Sequence, residues 1–400
     1  MKKLFVFTII ILSLTQPVWA EQDYSYDGNI SLHNYYYGEQ DEQYVPEASL
    51  DLNTKLFLGN WQVISNLQAR YNYLELEQGV FSEEDDYRPY VSMEEFYVNA
   101  YWQDLDFNLG ICKINWGITD RFNPIDIINP VDLTDIINER KIGLPVLALT
   151  YWPPDWQIEL VIAPYFMASR LPPANSYFYY GSELPVEEDL PEFTWQNMQA
   201  GLLVNWQYKS LSLTTMAYYG YDHLPFVELL MITPIDYQLV YHYERMSAFG
   251  GGFEYAYDKF VFRGEGAYYV YPEFDDQDYG QYVLGFDYSF GQINQRYNLY
   301  FTAQYLGETP QREDPDWIRH LFTQAVTAKI IYGNEFTEFS FEEIWILPHD
   351  GLILIPSFIH SFENNLAVKL EYDYFLGIED TYWHFNEKNN RFVFSVKYSF

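Results

Sequence analysis

One segment of the chain, residues 116–133, combines charged side chains with turn-forming pairs. The pattern Asn-Pro-x-Asp occurs in it twice, at 123–126 and at 129–132. Proline after asparagine fixes the backbone where a turn or a helix starts. Asp132 is followed three residues later by Asp135, which approximates a capping box, and the basic residues 140–141 with Gly143 would end a helix in accord with its dipole. We therefore predict a short helix over 130–142 inside a long loop.

The charges of this segment favour electrostatic selection of a solute. If residues 117–143 fold into the lumen of a barrel, their charged side chains would surround a narrow passage, as charged rings do in ion channels. The candidates for this constriction are Asp120, Arg121, Asp126, Asp132 and Arg140. The alternative is that the segment packs on the barrel rim and has a purely structural role.

Residues for enzymatic or metal chemistry do not occur in recognisable arrangements. The seven histidines are scattered, and the sequence contains no H-E-x-x-H, G-x-S-x-G or C-x-x-C motif. The single cysteine, Cys112, excludes an internal disulfide and a cysteine-rich metal site. Acidic runs such as 83–86 and 187–189 could attract divalent cations, but none has the ordered spacing of a calcium loop. We predict no enzyme, no metal site and no cofactor, although a triad assembled across strands would not be visible in a sequence.

The composition excludes two further classes of protein. The 400 residues carry 57 Asp and Glu against 22 Lys and Arg, a net charge of −35, whereas binding of nucleic acid needs clustered basic residues. Beyond residue 20, no stretch approaches the ~18 consecutive apolar residues of a membrane-spanning helix. Aromatic residues nevertheless make up 20% of the chain. A long, evenly patterned and aromatic-rich chain is typical of a lipid-facing β-barrel with aromatic girdles.

The first twenty residues have the features of a secretory signal. Lys2 and Lys3 precede an apolar stretch from Leu4 to Leu14, and Val18-Trp19-Ala20 is interpreted as the cleavage site before Glu21. The apolar stretch is about half the ~20 residues that a spanning helix requires. We expect residues 1–20 to be removed on export. Residues 21–400 contain no Gly/Ser linker or composition break, so they are expected to form a single transmembrane β-barrel domain.

The chain alternates apolar and polar residues with a period of two, as barrel strands do. Residues 47–58 and 61–74 both show this alternation and are joined by Gly59-Asn60, a typical hairpin turn. The charges occupy one face only, which a water-filled interior permits, because a charge at the lipid midplane costs roughly 2–4 kcal/mol. The charged residues predicted to line the pore wall are Asp51, Arg70, Glu95, Arg263, Glu265, Lys369 and Glu371.

Short connections alternate with long acidic or proline-rich ones along the chain. This asymmetry is typical of outer-membrane barrels, whose short turns lie on the periplasmic side. The connections predict an all-β, antiparallel barrel of about eighteen strands. Sixteen strands remain possible, because residues 235–257 and 344–362 are hard to divide.

Two parts of the sequence resemble known protein families. Residues 391–400 alternate aromatic and polar side chains, include Tyr398 and stop at Phe400, so they resemble the final strand of bacterial outer-membrane proteins, which the barrel-assembly machinery reads. The order W-G-x-x-D-x-x-N-P-x-D-x-x-N-P, at 116–130, is similar to a segment of poorly characterised porin-like families and extends over about fifty residues from Gly110. The resemblance implies a barrel in the bacterial outer membrane, with lipid and lipopolysaccharide as its surroundings.

The sequence as a whole predicts a porin-like channel for passive or gated diffusion of small hydrophilic solutes. Because of the acidic loops and the three loop aspartates, modest cation preference is expected. One alternative is a dedicated transport or export barrel for a polymer or an apolar ligand. The other is a plugged structural or adhesive barrel. The pattern assigns no particular solute and no oligomeric state.

Overall fold

The computed structural model describes most of the chain beyond residue 23. The described ranges are 24–40, 44–72, 91–172, 176–179, 184–231, 237–273, 277–293, 296–309, 320–332, 335–347, 351–379 and 381–400. The predicted export signal at 1–20 and the acidic run at 83–86 lie outside these ranges.

Eighteen antiparallel strands form one closed β-barrel, in which each strand pairs with its neighbours along the chain. The predicted number of eighteen strands is confirmed. The barrel strands are β1 (Tyr24–Tyr37), β2 (Tyr44–Leu58), β3 (Trp61–Asn72), β4 (Val91–Trp102), β5 (Leu105–Cys112), β8 (Leu144–Tyr151), β9 (Trp156–Ala163), β11 (Gln199–Tyr208), β12 (Leu211–Tyr221), β15 (Arg245–Tyr257), β16 (Phe260–Val270), β17 (Tyr279–Ile293), β18 (Tyr297–Glu308), β19 (His320–Tyr332), β20 (Glu335–Leu347), β21 (Gly351–Ser361), β22 (Leu366–Leu376) and β23 (Arg391–Ser399).

The two segments that the sequence left undivided are resolved by pairing. Residues 237–242 form β14, which lies outside the barrel sheet, and β15 begins at Arg245. Residues 344–362 contain the end of β20 and the whole of β21, which pair with each other. Each segment therefore contributes normal hairpin partners to an even-numbered barrel.

The barrel closes where the last strand meets the first. β23 pairs with β1 from Asn29↔Ser399 to Tyr37↔Arg391. The backbone N–H of Phe400 donates to the carbonyl of Gly28 at 3.0 Å, and the N–H of Gly28 donates to the carbonyl of Phe400 at 3.1 Å. Phe400 thus continues the ladder that closes the sheet between β23 and β1.

The two faces of the barrel differ in polarity, as the period of two predicts. Residues that pair across antiparallel strands share a face. Ile30 pairs with Leu50, and both are exposed on the outside. The next row contains Asp51 and Gln68, and the Gln68 amide donates to the Asp51 carboxylate at 2.6 Å on the inside. Successive rows therefore alternate between an apolar outer wall and a polar inner wall.

Tight turns connect the strands at one end, which we call the proximal end, and longer connections lie at the distal end. The proximal turns contain Gly59, Gln103, Asp155, Lys209 and Asp258, all with φ between +53° and +67°. Two-residue hairpins need such positive φ values, because the mirror-image turns match the twist of the strands. These turns occur where the sequence predicted short connections.

The predicted helix over 130–142 is wrong. Residues Val131–Asp132 form the short strand β6, which pairs antiparallel with β7 (Arg140–Lys141). The Asp132 carboxylate accepts from the backbone N–H of Thr134 at 3.1 Å, and that of Asp135 accepts from the N–H of Ile137 at 3.0 Å. These local turns compete with helical hydrogen bonds, so the aspartates that suggested a helix cap bend the chain instead.

A short helix does occur in a long loop, but in a different one. Helix α1 (Tyr382–Phe385) lies in the distal connection between β22 and β23, and a 3₁₀ turn at Asn386–Asn389 follows it. The hydroxyl of Thr381 caps the helix by accepting from the N–H of His384 at 3.2 Å. No helix in the described ranges is long and apolar enough to cross a lipid bilayer.

A small sheet extends the distal end. It consists of β10 (Val186–Asp189), β13 (Phe226–Met231) and β14 (Tyr237–His242), with β14 in the centre. β10 runs parallel to β14, and β13 runs antiparallel to it. A further 3₁₀ turn at Trp195–Asn197 precedes β11.

The barrel seam yields a testable prediction about Gly28. A Cβ atom at this position would lie 2.4 Å from the Asp51 carbonyl oxygen and 2.8 Å from the Phe400 ring, whereas a Cβ at Gly38 would meet nothing within 4 Å. We expect Gly28→Ala to destabilise the closed barrel by about 1–3 kcal/mol, as overpacking does. The measurement is the urea midpoint at which unboiled protein loses the gel mobility of the folded barrel. Gly38→Ala is the control, and equal midpoints for both variants would contradict the account of the seam.

Candidate functional site

Residues 113–143, here called the lumen loop, lie inside the barrel. The backbone N–H of Ile118 donates to the Glu265 carboxylate on β16 at 2.7 Å. The N–H of Arg121 donates to the Gln304 side chain on β18 at 3.1 Å. Because Glu265 and Gln304 belong to the inner wall, these contacts show that the loop leaves β5 and enters the interior.

Apolar contacts hold the first half of the lumen loop on the wall formed by β5 to β16. Ile114, Trp116, Ile125 and Ile128 form one buried cluster with inner-wall residues that include Leu144, Val146, Ala148, Val161, Leu203, Met216, Met246 and Ala248. Small wall residues make room for this contact. A Cβ at Gly201 would lie 2.5 Å from the Trp116 ring, and one at Gly250 would lie 2.9 Å from the Ile125 side chain. A side chain at either position would therefore clash with the loop in its present place.

The second half of the lumen loop reaches the opposite wall. Ile137 belongs to a second buried cluster, against which Phe122 and Ile136 also pack. The wall side of this cluster consists of Ile344, Ile346, Ile353, Ile355 and Phe375 on β20 to β22. The loop thus spans the interior and rests on two opposite sides of the barrel.

A buried arginine fastens the lumen loop to the barrel seam. Arg391 on β23 is 2% exposed, and its guanidinium lies 2.6 Å from the Asp373 carboxylate and 3.0 Å from that of Asp135. The rings of Tyr35 and Phe178 lie 5.0 and 5.3 Å from the guanidinium carbon. Asp373 comes from β22 and Asp135 from the lumen loop, so one cation joins three parts of the chain.

A buried histidine, His223, holds the middle of the lumen loop. In the ring of His223, Nδ1 lies 2.7 Å from the Met167 carbonyl oxygen and Nε2 lies 3.0 Å from that of Ile128. The ring stacks on Phe166 with an interplanar angle of 7°. Burial lowers the pKa of His223 and raises the pKa of the neighbouring Asp222. A neutral ring has a single N–H, which it donates to one of these carbonyls.

The predicted constriction residues are separated by the fold, and most are paired. The Asp120 carboxylate lies 3.2 Å from the Arg263 guanidinium, and that of Asp132 lies 2.8 Å from Arg170. Asp126 forms an ion pair with Lys141. Each of the three predicted acids therefore has a basic partner, which reduces its field in the lumen.

The two predicted basic residues of the constriction have different surroundings. Arg121 lies 3.6 Å from the inward-facing Glu342 on β20. Arg140 is exposed, and its guanidinium is 3.5 Å from the Gln68 side-chain oxygen. No carboxylate of the described ranges lies within ion-pair distance of Arg140. This arginine therefore contributes a positive charge that the described acids do not neutralise.

A cavity of about 70 Å³ lies between the lumen loop and the wall beside Arg140. We call it the side cavity. It has room for several water molecules, because each needs roughly 10–15 Å³ of cavity volume. Its wall side is formed by Gln68, Arg70, Ser92, Met93 and Glu94, and its other side by Asp132, residues 140–143 and Arg170. The lining therefore brings together cations and carboxylates from the wall and from the loop.

The seven predicted wall residues all project to the inside. Four of them contact other wall residues. Asp51 binds Gln68, and Arg70 lies 3.9 Å from Glu47. The Lys369 ammonium lies 2.6 Å from the Glu371 carboxylate.

The other three predicted wall residues contact the lumen loop. Glu95 accepts from the N–H of Lys113, and Glu265 accepts from the N–H of Ile118. Arg263 binds Asp120. Tyr398 and Phe400 are exposed at the proximal end of β23.

The structure adds functional candidates that sequence reasoning missed. Asp135, Arg170, His223 and Glu342 all fix the lumen loop. Of these four, only Glu342 could have been found from the sequence, because the alternation places it on the polar face of a strand. In the described ranges, no group of three or more His, Cys, Asp or Glu could hold a metal ion.

Comparison with solved structures finds barrels of the bacterial outer membrane. OccK1 (OpdK) of Pseudomonas aeruginosa matches with a TM-score of 0.53 and 9% identity over 94% of this chain and 98% of that chain. OccAB1 of Acinetobacter baumannii matches with a TM-score of 0.55 and 7% identity over 95% and 96%. Wzi of Escherichia coli, described as a carbohydrate-binding β-barrel involved in capsule assembly, matches with a TM-score of 0.54 and 9% identity over 98% and 91%.

The likeness at these identities concerns the fold. No protein-family model matches the chain. No curated protein matches it either.

The arginine at the seam yields a second prediction. Arg391→Leu leaves Asp373 buried without its cation, and loss of one member of a buried ion pair costs about 3–5 kcal/mol. We expect the double variant Arg391→Leu/Asp373→Leu to regain much of this stability. Urea unfolding followed by gel mobility measures both variants. Equal destabilisation in the single and double variants would show that the buried pair does not control stability.

Proposed function

We propose that the protein is a channel of the bacterial outer membrane through which small hydrophilic solutes diffuse. The observation that carries this proposal is that charged side chains in the barrel interior remain exposed beside the lumen loop. The side chain of Asp120 is 57% exposed and that of Glu254 is 43% exposed. Water therefore reaches these carboxylates inside the barrel, where burial would be costly for ionised groups.

The outer wall supports placement in a lipid bilayer. Its exposed residues are mainly apolar, and Trp61, Trp102 and Trp156 project outward near the proximal turns. Aromatic girdles of this kind lie at the interfaces of membrane barrels. The likeness in fold to outer-membrane barrels agrees with this placement. Lipid, lipopolysaccharide and the barrel-assembly machinery, which would read Tyr398 and Phe400, are the proposed partners.

The proposed route passes beside the lumen loop. On one side lies the side cavity between the loop and β3–β4. On another side, Arg263 contacts the carboxylates of Asp120, Glu254 and Asp287. Both places combine charges of opposite sign, which suits polar solutes better than apolar ones. The proposed role of the loop is to narrow the lumen and to present these charges.

The charge distribution refines the expected selectivity. The net charge of −35 would attract cations to the mouth over a Debye length of about 8 Å at physiological salt. Because Asp120, Asp126 and Asp132 have basic partners, they add little to this preference. Arg140 opposes it. The proposed channel is therefore only modestly cation-preferring.

A dedicated ligand-binding or plugged barrel is the second candidate function. It is favoured by the two apolar clusters through which the lumen loop rests on opposite walls, because they fill much of the interior. One of the structures with a similar fold, Wzi, is described as carbohydrate-binding. A plugged barrel would show no steady ion conductance in a planar bilayer.

The ion pairs of the lumen loop yield a third prediction. Changing Asp120, Asp126 and Asp132 together to Asn leaves Arg263, Lys141 and Arg170 without these partners, so selectivity should shift toward anions. Arg140→Gln should shift it toward cations. Both shifts should shrink at 1 M salt, where the Debye length is about 3 Å.

Reversal potentials in asymmetric potassium chloride measure these shifts. Lys259→Gln is a matched control, because Lys259 lies in a proximal turn away from the loop. If the triple variant and Arg140→Gln both behaved like this control, the lumen loop would not line the ion path.

A further inference from the structure

Glu343 places a carboxyl group on the apolar outer face of β20. Glu343 on β20 pairs with Gln324 on β19 and with Leu354 on β21, so all three share a face. The rows on either side contain Phe341 and Trp345, which are exposed on the outside. Glu342, the preceding residue, projects to the inside and contacts Arg121. Glu343 therefore faces outward, between apolar neighbours.

The side chains of Gln324 and Glu343 use only some of their hydrogen-bonding groups on each other. The Gln324 amide donates to the Glu343 carboxylate. An amide has two N–H donors and a carboxylate has two acceptor oxygens. No other side-chain hydrogen bond of these two residues occurs among the described parts of the chain. Acyl chains offer neither donors nor acceptors, so the remaining polar atoms need a partner if this face lies at membrane depth.

The same sector carries a second outward polar pair nearer the proximal end. The Thr337 hydroxyl and the His360 ring nitrogen Nδ1 lie 2.8 Å apart, on the face that Phe339 and Phe341 also occupy. Val326 and Phe341 are exposed between the two pairs. The outer face of β19 to β21 thus combines exposed apolar residues with two polar pairs, as a protein interface does.

We infer that a second copy of this chain covers the outer face of β19 to β21 through a two-fold contact. Each copy offers one unused amide N–H on Gln324 and one unused carboxylate oxygen on Glu343. Such a pair is self-complementary, because a two-fold axis brings the donor of one copy to the acceptor of the other. Val326, Phe341 and Trp345 supply the surrounding apolar contact.

The row that contains Gln324 and Glu343 also contains a small residue. Ala303 lies next to Gln324 in this row, and a small residue lets two walls approach closely. The inference rests on the proposed placement in the outer membrane.

Cross-linking tests which face the second copy covers. In a Cys112→Ser background, Val326→Cys is treated with a short bismaleimide in native outer membranes. Leu202→Cys on β11, which is also exposed on the outer wall, is the matched control. We expect a covalent dimer from the Val326→Cys protein and none from the control. Equal yields from both variants, or no dimer from either, would overturn the inference.

The mass of the detergent-solubilised protein tests the chemistry of the contact. We expect a dimer for the wild type and for Glu343→Gln, because glutamine keeps both a donor and an acceptor. The double variant Gln324→Leu/Glu343→Leu should be monomeric. A dimer that persists in this variant, or a monomeric wild type, would contradict the proposed contact.

Gel mobility and single-channel conductance are measured on the same samples. They separate this inference from the proposed function: a conducting, folded monomer in the double leucine variant supports both. A conducting wild-type monomer overturns the dimer only. Absence of conductance in all samples overturns the channel.

Discussion

The buried guanidinium of Arg391 is the interaction on which the arrangement of the lumen depends. A charge at 2% exposure requires acidic partners, and Asp373 and Asp135 provide them. Asp135 precedes Arg391 by 256 residues, so the ion pair joins the lumen loop to the strand that closes the barrel. The position of the lumen loop and the closure of the barrel are therefore coupled. A loop displaced from the seam would leave Arg391 with one carboxylate instead of two.

The rest of the loop is fixed by contacts of different kinds. One apolar cluster holds it on β5 to β16, a second holds it on β20 to β22, and His223 joins its backbone to that of Met167. Close packing on two walls resists small displacements of the loop, since closely packed side chains have few alternative arrangements. The loop is therefore held in place inside the barrel, and the charged side chains that it carries keep their positions. Under the proposed function, solute selection depends on these fixed charges and on the side cavity.

Much of the fold could be predicted because its signals are local. A period of two places Asp51 and Gln68 on one face, and turns such as Gly59-Asn60 show where each hairpin ends. The helix over 130–142 was predicted wrongly because its evidence was also local. Asp132 and Asp135 resemble helix-capping residues, yet they bind Arg170 and Arg391 from distant parts of the chain. The partner of Asp120, Arg263, also comes from a distant strand. The alternation alone places Glu342 on the inner face and Glu343 on the outer face, but it does not reveal which residues each contacts.

The central claim is that a water-filled path runs beside the lumen loop, and single-channel recording tests it most directly. Ser92 lines the side cavity, so Ser92→Cys in a Cys112→Ser background places a reactive thiol in the proposed path. We expect discrete channel openings in planar bilayers. We also expect a stepwise fall in conductance when a bulky water-soluble thiol reagent is added, with no such fall for Val326→Cys on the outer wall. A folded barrel that conducts no ions, or one whose conductance is unchanged by modification at position 92, would contradict it.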